Sequence, residues 1–507
     1  MAFICNGVFS GNMRRRSLLR AGAASLALPV VGQAAASPPT DAQYQPIGSL
    51  DFDDAREVVV DDAGEVAYVA AATHVTAVDL SDPANPAKLS EVEIGADHPD
   101  GPLGGVQDAK VDGDRLVAAG PPSPGRGLWG FGLVDVSDPA NMTEVSFVET
   151  STHANHNCAI EGDTVYLTGT NGNAGGDEEL RIYDVADDDP EEVATWYPGD
   201  HDAAWDDVLV FLRNLHDVFV QDGVAYLPYW DSGTFMVDVS DPANPEYINR
   251  IGDYTLDELQ DIGRGELQQE FIEPPGNAHY VTVNEDATIL GEGGESWDAQ
   301  QGDDAGGPSP ITLYDISDPA TPEELATVET EETGDNTRSG WYSTSHNFEI
   351  HGGKLYSSWY NAGVKIHDIS DPANPEQIAW YADPDSKAFW TAQVGVPDDF
   401  FVATTYRAVP RGSDTALYTF PDEPGQMDAA PSFPALDESD GGDTTTPGGS
   451  GTTAGDDGTE TEAMDGGGDD GTTEADGDGG SPGLGVVSAL AGLGVGAWRL
   501  RERRADE

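Results

Sequence analysis

Four histidines recur at one position of a repeated sequence pattern and have the chemistry to hold a metal ion. The four are His156, His216, His279 and His346. Each is followed by apolar residues two and four positions later, and that alternation predicts a β-strand beginning beside the histidine. Imidazole is a common ligand of copper, zinc and iron, so converging imidazoles predict a transition-metal site. His153 and Glu270, on neighbouring loops, are candidates to join it.

The same position occurs in three further units, where it holds other side chains. These are Arg56, Gln107 and Trp390, which we take as candidate binding residues beside the histidines. Successive members of the series lie 51, 49, 60, 63, 67 and 44 residues apart. Because three units do without the histidine, it is not required to fold a unit, which favours a functional role. The alternative is structural, with each histidine hydrogen-bonding inside its own repeat unit.

A turn phrase returns through residues 37–436 and identifies the elements that carry these side chains. Its first copy reads Val-Asp-Leu-Ser-Asp-Pro-Ala-Asn-Pro over residues 78–86, and four clear copies begin at 134, 237, 314 and 367. The alternating apolar residues of the phrase predict a strand. Its Asp, Pro and Asn residues predict a tight turn, with aspartate oxygens accepting backbone amides, into a second strand.

Seven units of four short strands at this period predict an all-β fold, a seven-bladed β-propeller of four-stranded blades. The last unit has only three strand candidates, at 391–396, 400–406 and 415–420, while residues 46–52 form an unpartnered strand before the first unit. We therefore expect this N-terminal strand to complete the last blade and close the ring. Residues 255–270 are the one segment with a helical pattern.

The repeated phrases resemble a known family. Leu133-Val134-Asp135-Val136-Ser137-Asp138-Pro139, and the stretch from Trp230 to Pro242, are similar to LVIVD-repeat proteins, a propeller family of cell surfaces. The resemblance covers most of residues 44–424 and implies a propeller at the cell surface, without implying an activity. The chain also loosely resembles selenium-binding proteins and methanethiol oxidases, which place histidines near a propeller channel.

The charge balance limits the partners of this protein. The 507 residues include 23 Lys and Arg against 93 Asp and Glu, which gives a formal net charge of −70. A chain so acidic repels nucleic acid, so we expect no nucleic-acid partner. Concentrated salt screens such self-repulsion, which favours a protein of a salt-adapted organism.

The two ends of the chain are predicted to be targeting and anchoring segments rather than parts of the folded domain. Residues 1–36 contain Arg15-Arg16 before an Ala-rich apolar run and resemble a twin-arginine signal peptide, which exports folded proteins. Residues 437–481 form an acidic Thr/Gly-rich stalk expected to be disordered. Residues 482–507, an apolar run followed by arginines, resemble the PGF-type sorting signal of haloarchaeal surface proteins, which implies a membrane-spanning or lipid anchor.

Two functions follow from these features. The first is an exported, surface-anchored propeller. It binds an unidentified ligand or protein at its loop-rich face, where long loops are predicted to lie on the same side as the histidines, and its C-terminal tail contacts the cell membrane or surface layer. The alternative is a metal-dependent enzyme of the oxidoreductase class, whose copper, zinc or iron ion is held by the four histidines.

Overall fold

The repeated strands close into a ring of seven blades. The computed structural model describes residues 44–121, 128–150, 155–169, 178–300, 306–331, 333–407, 414–425, 427 and 431–433. Within these residues, 28 strands form seven antiparallel sheets of four strands each, which confirms the predicted seven-bladed propeller. The predicted signal peptide, stalk and C-terminal anchor segment lie outside the described residues, and so does His153.

Each of the first six blades consists of four consecutive strands. Blade one contains β2 (Ala55–Val60), β3 (Val66–Ala71), β4 (His74–Asp79) and β5 (Ala87–Glu93). Blade two contains β6 (Asp108–Asp112), β7 (Arg115–Gly120), β8 (Gly130–Asp135) and β9 (Thr143–Glu149). Blade three contains β10 (Cys158–Glu161), β11 (Thr164–Gly169), β12 (Glu179–Asp184) and β13 (Glu191–Trp196).

The next three blades repeat this order. Blade four contains β14 (Phe219–Gln221), β15 (Val224–Pro228), β16 (Thr234–Asp238) and β17 (Glu246–Ile251). Blade five contains β18 (Ala278–Val283), β19 (Ile289–Gly294), β20 (Ile311–Asp315) and β21 (Glu323–Val328). Blade six contains β22 (Phe348–His351), β23 (Lys354–Ser358), β24 (Val364–Asp368) and β25 (Glu376–Tyr381).

Blade seven is completed by the N-terminal strand, as predicted. It combines β26 (Phe389–Val396), β27 (Phe400–Thr405) and β28 (Ala416–Pro421) with β1 (Gly48–Asp51). β1 pairs with β28 in antiparallel register from Gly48 opposite Thr419 to Asp51 opposite Ala416. The first and last strands of the ring therefore share one sheet.

The repeated phrase is explained by the turn that it builds. In blade one, Asp82 Oδ1 accepts a hydrogen bond from the Ala84 amide at 3.2 Å, and Asp82 Oδ2 accepts one from Asn85 Nδ2 at 2.9 Å. Asp79, at the end of β4, accepts the Ser81 amide at 2.9 Å, and hydrogen bonding from Ser81 lowers the pKa of that carboxyl. The aspartates of the phrase therefore stabilise the turn by accepting backbone amides, as predicted from the sequence.

Among the described residues, the long loops before the innermost strands of blades four and five carry three short α-helices, besides 3-10 turns. These are α1 (Pro198–His201), α2 (Leu256–Asp261) and α3 (Leu267–Glu270). The segment predicted as helical, 255–270, contains α2 and α3, whereas α1, with four residues, is too short to show a period in the sequence. No helix among the described residues is long and apolar enough to cross a bilayer.

Candidate functional site

The backbone places the histidines at equivalent points of their blades. Where the innermost strand begins, it lies beside the end of the blade's second strand. There the His216 amide donates to the Pro228 carbonyl at 3.0 Å, and the His346 amide donates to the Ser358 carbonyl at 3.0 Å. His216 and His346, which share a register in the sequence, therefore occupy the same position in their blades.

The structure brings the four predicted metal ligands into one cluster. The ring centroids of His156 and His216 lie 4.2 Å apart, those of His216 and His279 3.9 Å, and those of His279 and His346 4.7 Å. The four come from four consecutive blades, so that no single blade determines the arrangement. We call these residues the histidine arc.

Burial keeps three imidazoles of the arc neutral, those of His216, His279 and His346. Burial and neighbouring imidazoles hold the pKa of His216 and of His279 well below the usual value, and burial lowers the pKa of His346 to about 3. Among the described residues, Nδ1 of His216 and Nδ1 of His279 are buried and have no hydrogen-bond partner. A neutral imidazole with a bare nitrogen is the form that binds a metal ion, so these residues fit a transition metal.

His346 is held in one tautomer. Its Nδ1 lies 2.6 Å from the backbone carbonyl oxygen of Trp390. Because a carbonyl can only accept, the neutral ring carries its proton on Nδ1 and keeps a bare Nε2. A carbonyl partner of this kind orients metal-binding histidines in proteins.

A carboxylate that the sequence analysis did not select joins the arc. Glu295 follows β19 directly, and its Oε2 lies 3.5 Å from His279 Nε2. Its Oε1 accepts a hydrogen bond of 2.6 Å from the Tyr360 hydroxyl. The predicted acidic candidate, Glu270, instead accepts the Tyr254 hydroxyl at 2.9 Å. Because Ala278 pairs with Gly294 across the β18/β19 hairpin, this register is the signal that points to Glu295.

The remaining candidates lie beside the arc, at the mouth of the central channel that the innermost strands of a propeller surround. The Trp390 ring lies 4.0 Å from that of His346 and 4.6 Å from that of Tyr406. The Arg56 guanidinium lies 4.9 Å from the centre of the Tyr406 ring and donates to Gln107 Oε1 at 2.6 Å. Arg56, Gln107 and Trp390 therefore belong to the same ring of side chains as the arc.

Two bulky aromatic residues beside the arc adopt left-handed backbone conformations. Trp230 has φ of 50° and Tyr360 has φ of 44°, in the turns between the second and third strands of blades four and six. The Tyr360 amide donates to the Phe389 carbonyl at 3.2 Å and its carbonyl accepts the Phe389 amide at 2.9 Å. Such backbone strain persists where surrounding structure fixes it, and it is frequent at functional sites.

A second layer of buried polar side chains lies one residue further along the chain in each blade. Each blade contributes the residue that immediately follows its member of the series Arg56, Gln107, His156, His216, His279, His346 and Trp390, which we call the mouth positions. All seven contributed residues are buried. These residues, called the channel tier, are Glu57, Asp108, Asn157, Asp217, Tyr280, Asn347 and Thr391. Asn347 Nδ2 of blade six donates to Glu57 Oε2 of blade one at 2.6 Å, so the tier connects two blades that are not direct neighbours in the ring.

Lys110 supplies the positive charge of this tier. Its ammonium forms an ion pair with Asp108. Burial alone would lower the pKa of Lys110, but Asp108 and Glu57 raise it well above the usual value. Burial raises the pKa of Glu57 to about 7 despite the nearby lysine. The tier thus pairs several acids with one base inside the ring.

The repeats agree with a known family. The model of the LVIVD repeat matches residues 54–93, 129–150 and 213–252, which lie in blades one, two and four and the connections before them. The chain is a β-propeller protein with LVIVD repeats. No curated protein matches the sequence of this LVIVD-repeat propeller.

A solved structure agrees with the fold. The β-propeller domain of Cps50 (Swd1) from Myceliophteria thermophila has a TM-score of 0.51 and 9% sequence identity, over 75% of this chain and 99% of that domain. At this identity the likeness extends to the propeller architecture alone. The function of the LVIVD-repeat propeller has to be argued from its own residues.

Proposed function

We propose that this LVIVD-repeat propeller is a surface-displayed scaffold that binds a transition-metal ion at the mouth of its channel. The observation that carries the proposal is the histidine arc, in which imidazoles of four consecutive blades pack 3.9–4.7 Å apart. A purely structural role would leave these rings hydrogen-bonded within their blades, whereas two of them keep buried Nδ1 atoms without a partner among the described residues. Copper, zinc and iron are the ions that such nitrogen donors favour.

The location rests on the two ends of the sequence. Arg15-Arg16 before an Ala-rich run supports export by the twin-arginine route, and the apolar segment of residues 482–507 supports anchoring at the outer face of the membrane. Replacing both arginines with lysine should leave the precursor inside the cell, which cell fractionation measures. Normal export of that variant would contradict the twin-arginine assignment.

Elemental analysis of the intact protein tests the metal site. The protein is purified in concentrated potassium chloride without a metal-affinity tag, beside a His216→Ala/His346→Ala double variant. We expect close to one copper, zinc or iron ion per chain in the natural protein and its loss in the variant.

The matched control replaces two histidines outside the arc. His201 stacks on Tyr247, and His351 pairs with Glu285, so a His201→Ala/His351→Ala variant removes the same number of imidazoles and should keep the ion. A natural protein that takes up no metal, even when zinc or copper is added in excess, would contradict the proposed function. So would equal metal loss in both variants.

A further inference from the structure

Glu295 contacts the arc in a way that changes the expected ligand set. Among the described residues, one group of three donor atoms converges within 4.8 Å, and it belongs to His216, His279 and Glu295. Two ligands on opposite sides of an ion lie at most ~4.2 Å apart when each bond is about 2.1 Å. In a tetrahedral site the same bonds place donor atoms ~3.4 Å apart, so the three groups, now within 4.8 Å of one another, need to close by up to ~1.4 Å to share an ion.

Glu295 is fixed in place from the next blade. The Tyr360 hydroxyl donates to Glu295 Oε1 at 2.6 Å, which leaves Oε2 facing His279. Tyr360 is itself held by its turn, whose backbone is bonded in both directions to Phe389 of blade seven. The Tyr360 ring also packs 4.7 Å from the His346 ring. The carboxylate is therefore positioned before any ion arrives.

We propose that the metal ion is held by His216, His279 and Glu295, and that Tyr360 is a positioning residue that holds Glu295 as a ligand. This inference rests on the proposed function and replaces a site of four imidazoles with one of two imidazoles and a carboxylate. His156 and His346 then line the space beside the ion.

A three-ligand site has a chemical consequence. Protein sites that only stabilise structure fill the coordination shell of the ion, whereas sites with two histidines and one carboxylate keep open positions for an exogenous ligand. A divalent ion with one carboxylate keeps net positive charge, so it favours a small anionic or oxygen-donor ligand. Access is from the side of His156 and His216, each 9% exposed, since His279 and His346 are 3% and 2% exposed.

Cobalt substitution tests the ligand set in the intact protein. Co²⁺ is titrated into metal-free protein, its visible spectrum is recorded, and azide is then added as a probe of open positions. The variants are Glu295→Gln and Tyr360→Phe, and Tyr342→Phe is the matched control. Tyr342 packs 5.5 Å from Tyr360, but its hydroxyl donates to the Arg338 carbonyl.

We expect Glu295→Gln to weaken Co²⁺ binding at least tenfold and to change the visible spectrum. Tyr360→Phe, which keeps the ring and removes the hydroxyl, should keep one Co²⁺ per chain and weaken its binding about 10–100-fold, the usual effect of removing an outer-shell partner. Tyr342→Phe should bind Co²⁺ as the natural protein does. Azide should shift the spectrum of the natural protein.

The outcomes separate this inference from the proposed function. If Glu295→Gln binds Co²⁺ with unchanged affinity and spectrum while His279→Ala does not bind, the ion is held by histidines alone, and only this inference is overturned. An unchanged affinity in Tyr360→Phe overturns the positioning role. If the natural protein binds neither Co²⁺ nor any other ion, the proposed function fails and the inference with it. Equal thermal midpoints of the variants show that lost binding is not lost folding.

Discussion

Replacing Glu57 with glutamine should change how the stability of the propeller depends on pH. Glu57 lies in the channel tier, where burial raises its pKa from 4.5 to about 7. The unfolded chain exposes the same carboxyl to water and restores its ordinary pKa. At about 1.4 kcal/mol for each pH unit between the two values, the difference amounts to ~3 kcal/mol in the free energy of unfolding.

The direction follows from where the proton is bound. Between pH 4.5 and about 7 the folded protein keeps the Glu57 proton and the unfolded chain releases it. Raising the pH through this window therefore favours the unfolded chain. The stabilising contribution is complete below pH 4.5 and is lost as the pH passes about 7. The Glu57→Gln variant has no proton to lose at this position, so its stability should fall less over the same window.

Denaturant unfolding followed by tryptophan fluorescence measures the effect. The natural protein, Glu57→Gln and Glu376→Gln are compared from about pH 4.5 to about pH 8, with Glu376, an exposed residue of β25, as the matched control. The difference between the natural protein and Glu57→Gln should change by ~3 kcal/mol across the range. Parallel pH profiles for these two proteins would refute the reasoning, because they would mean that Glu57 titrates alike in both states.

Three further changes test other parts of the ring. Lys110→Met removes the positive charge beside Asp108 and should destabilise the protein by about 3–5 kcal/mol in denaturant unfolding, because a buried acid loses its partner. Gly233→Ala should cost about 2–5 kcal/mol, because φ is 74° and an added Cβ would lie 2.1 Å from the Ile251 carbonyl oxygen. Deleting β1 exposes the edge of β28 and should produce association that size-exclusion chromatography detects.

Each of these changes has its own comparison. Gly113 has φ of 62° with open space around an added Cβ, so Gly113→Ala should cost only about 1–2 kcal/mol. Equal effects of the two glycine variants would show that the close carbonyl does not matter. A Lys110→Met protein as stable as the natural one would mean that the channel tier does not need this cation. A deletion variant that stays monomeric would show that the β28 edge is protected by other means.

The repeat made the fold predictable, because the blades share one pattern of alternating strands and most of them share one turn. The alternation after each mouth position and the Asp-Pro-Asn turn phrase were sufficient to predict seven blades and the closing role of the N-terminal strand. The same register predicted that His156, His216, His279 and His346 would meet. Equivalent residues of successive repeats lie at equivalent places in successive blades around the ring axis, so the register alone was sufficient to predict that the histidines meet.

Glu295 and the channel tier were missed for different reasons. Glu295 lies outside the repeated phrase, and it reaches His279 only through the pairing at the end of the β18/β19 hairpin. Its orientation depends on Tyr360, which belongs to the next blade and is 65 residues away in sequence. The channel tier could have been predicted from the sequence, since each of its residues directly follows a mouth position. The members of the tier are all polar but differ in residue type, so a search for one repeated residue type does not detect them.

The sharing of blade seven by the two ends of the ring has a consequence for how the protein is made. A synthesising ribosome produces β1 first, but its partner β28 follows only after about 370 residues, as the separation of 371 residues between Gly48 and Thr419 shows. Such distant pairing is slow to form, and six blades can assemble while the ring is still open. The first strand must therefore wait, unpaired, until synthesis of the propeller is complete. A secretion system that exports only folded proteins would suit this order of events. A system that threads the chain outward during synthesis would leave β1 unpaired for longer.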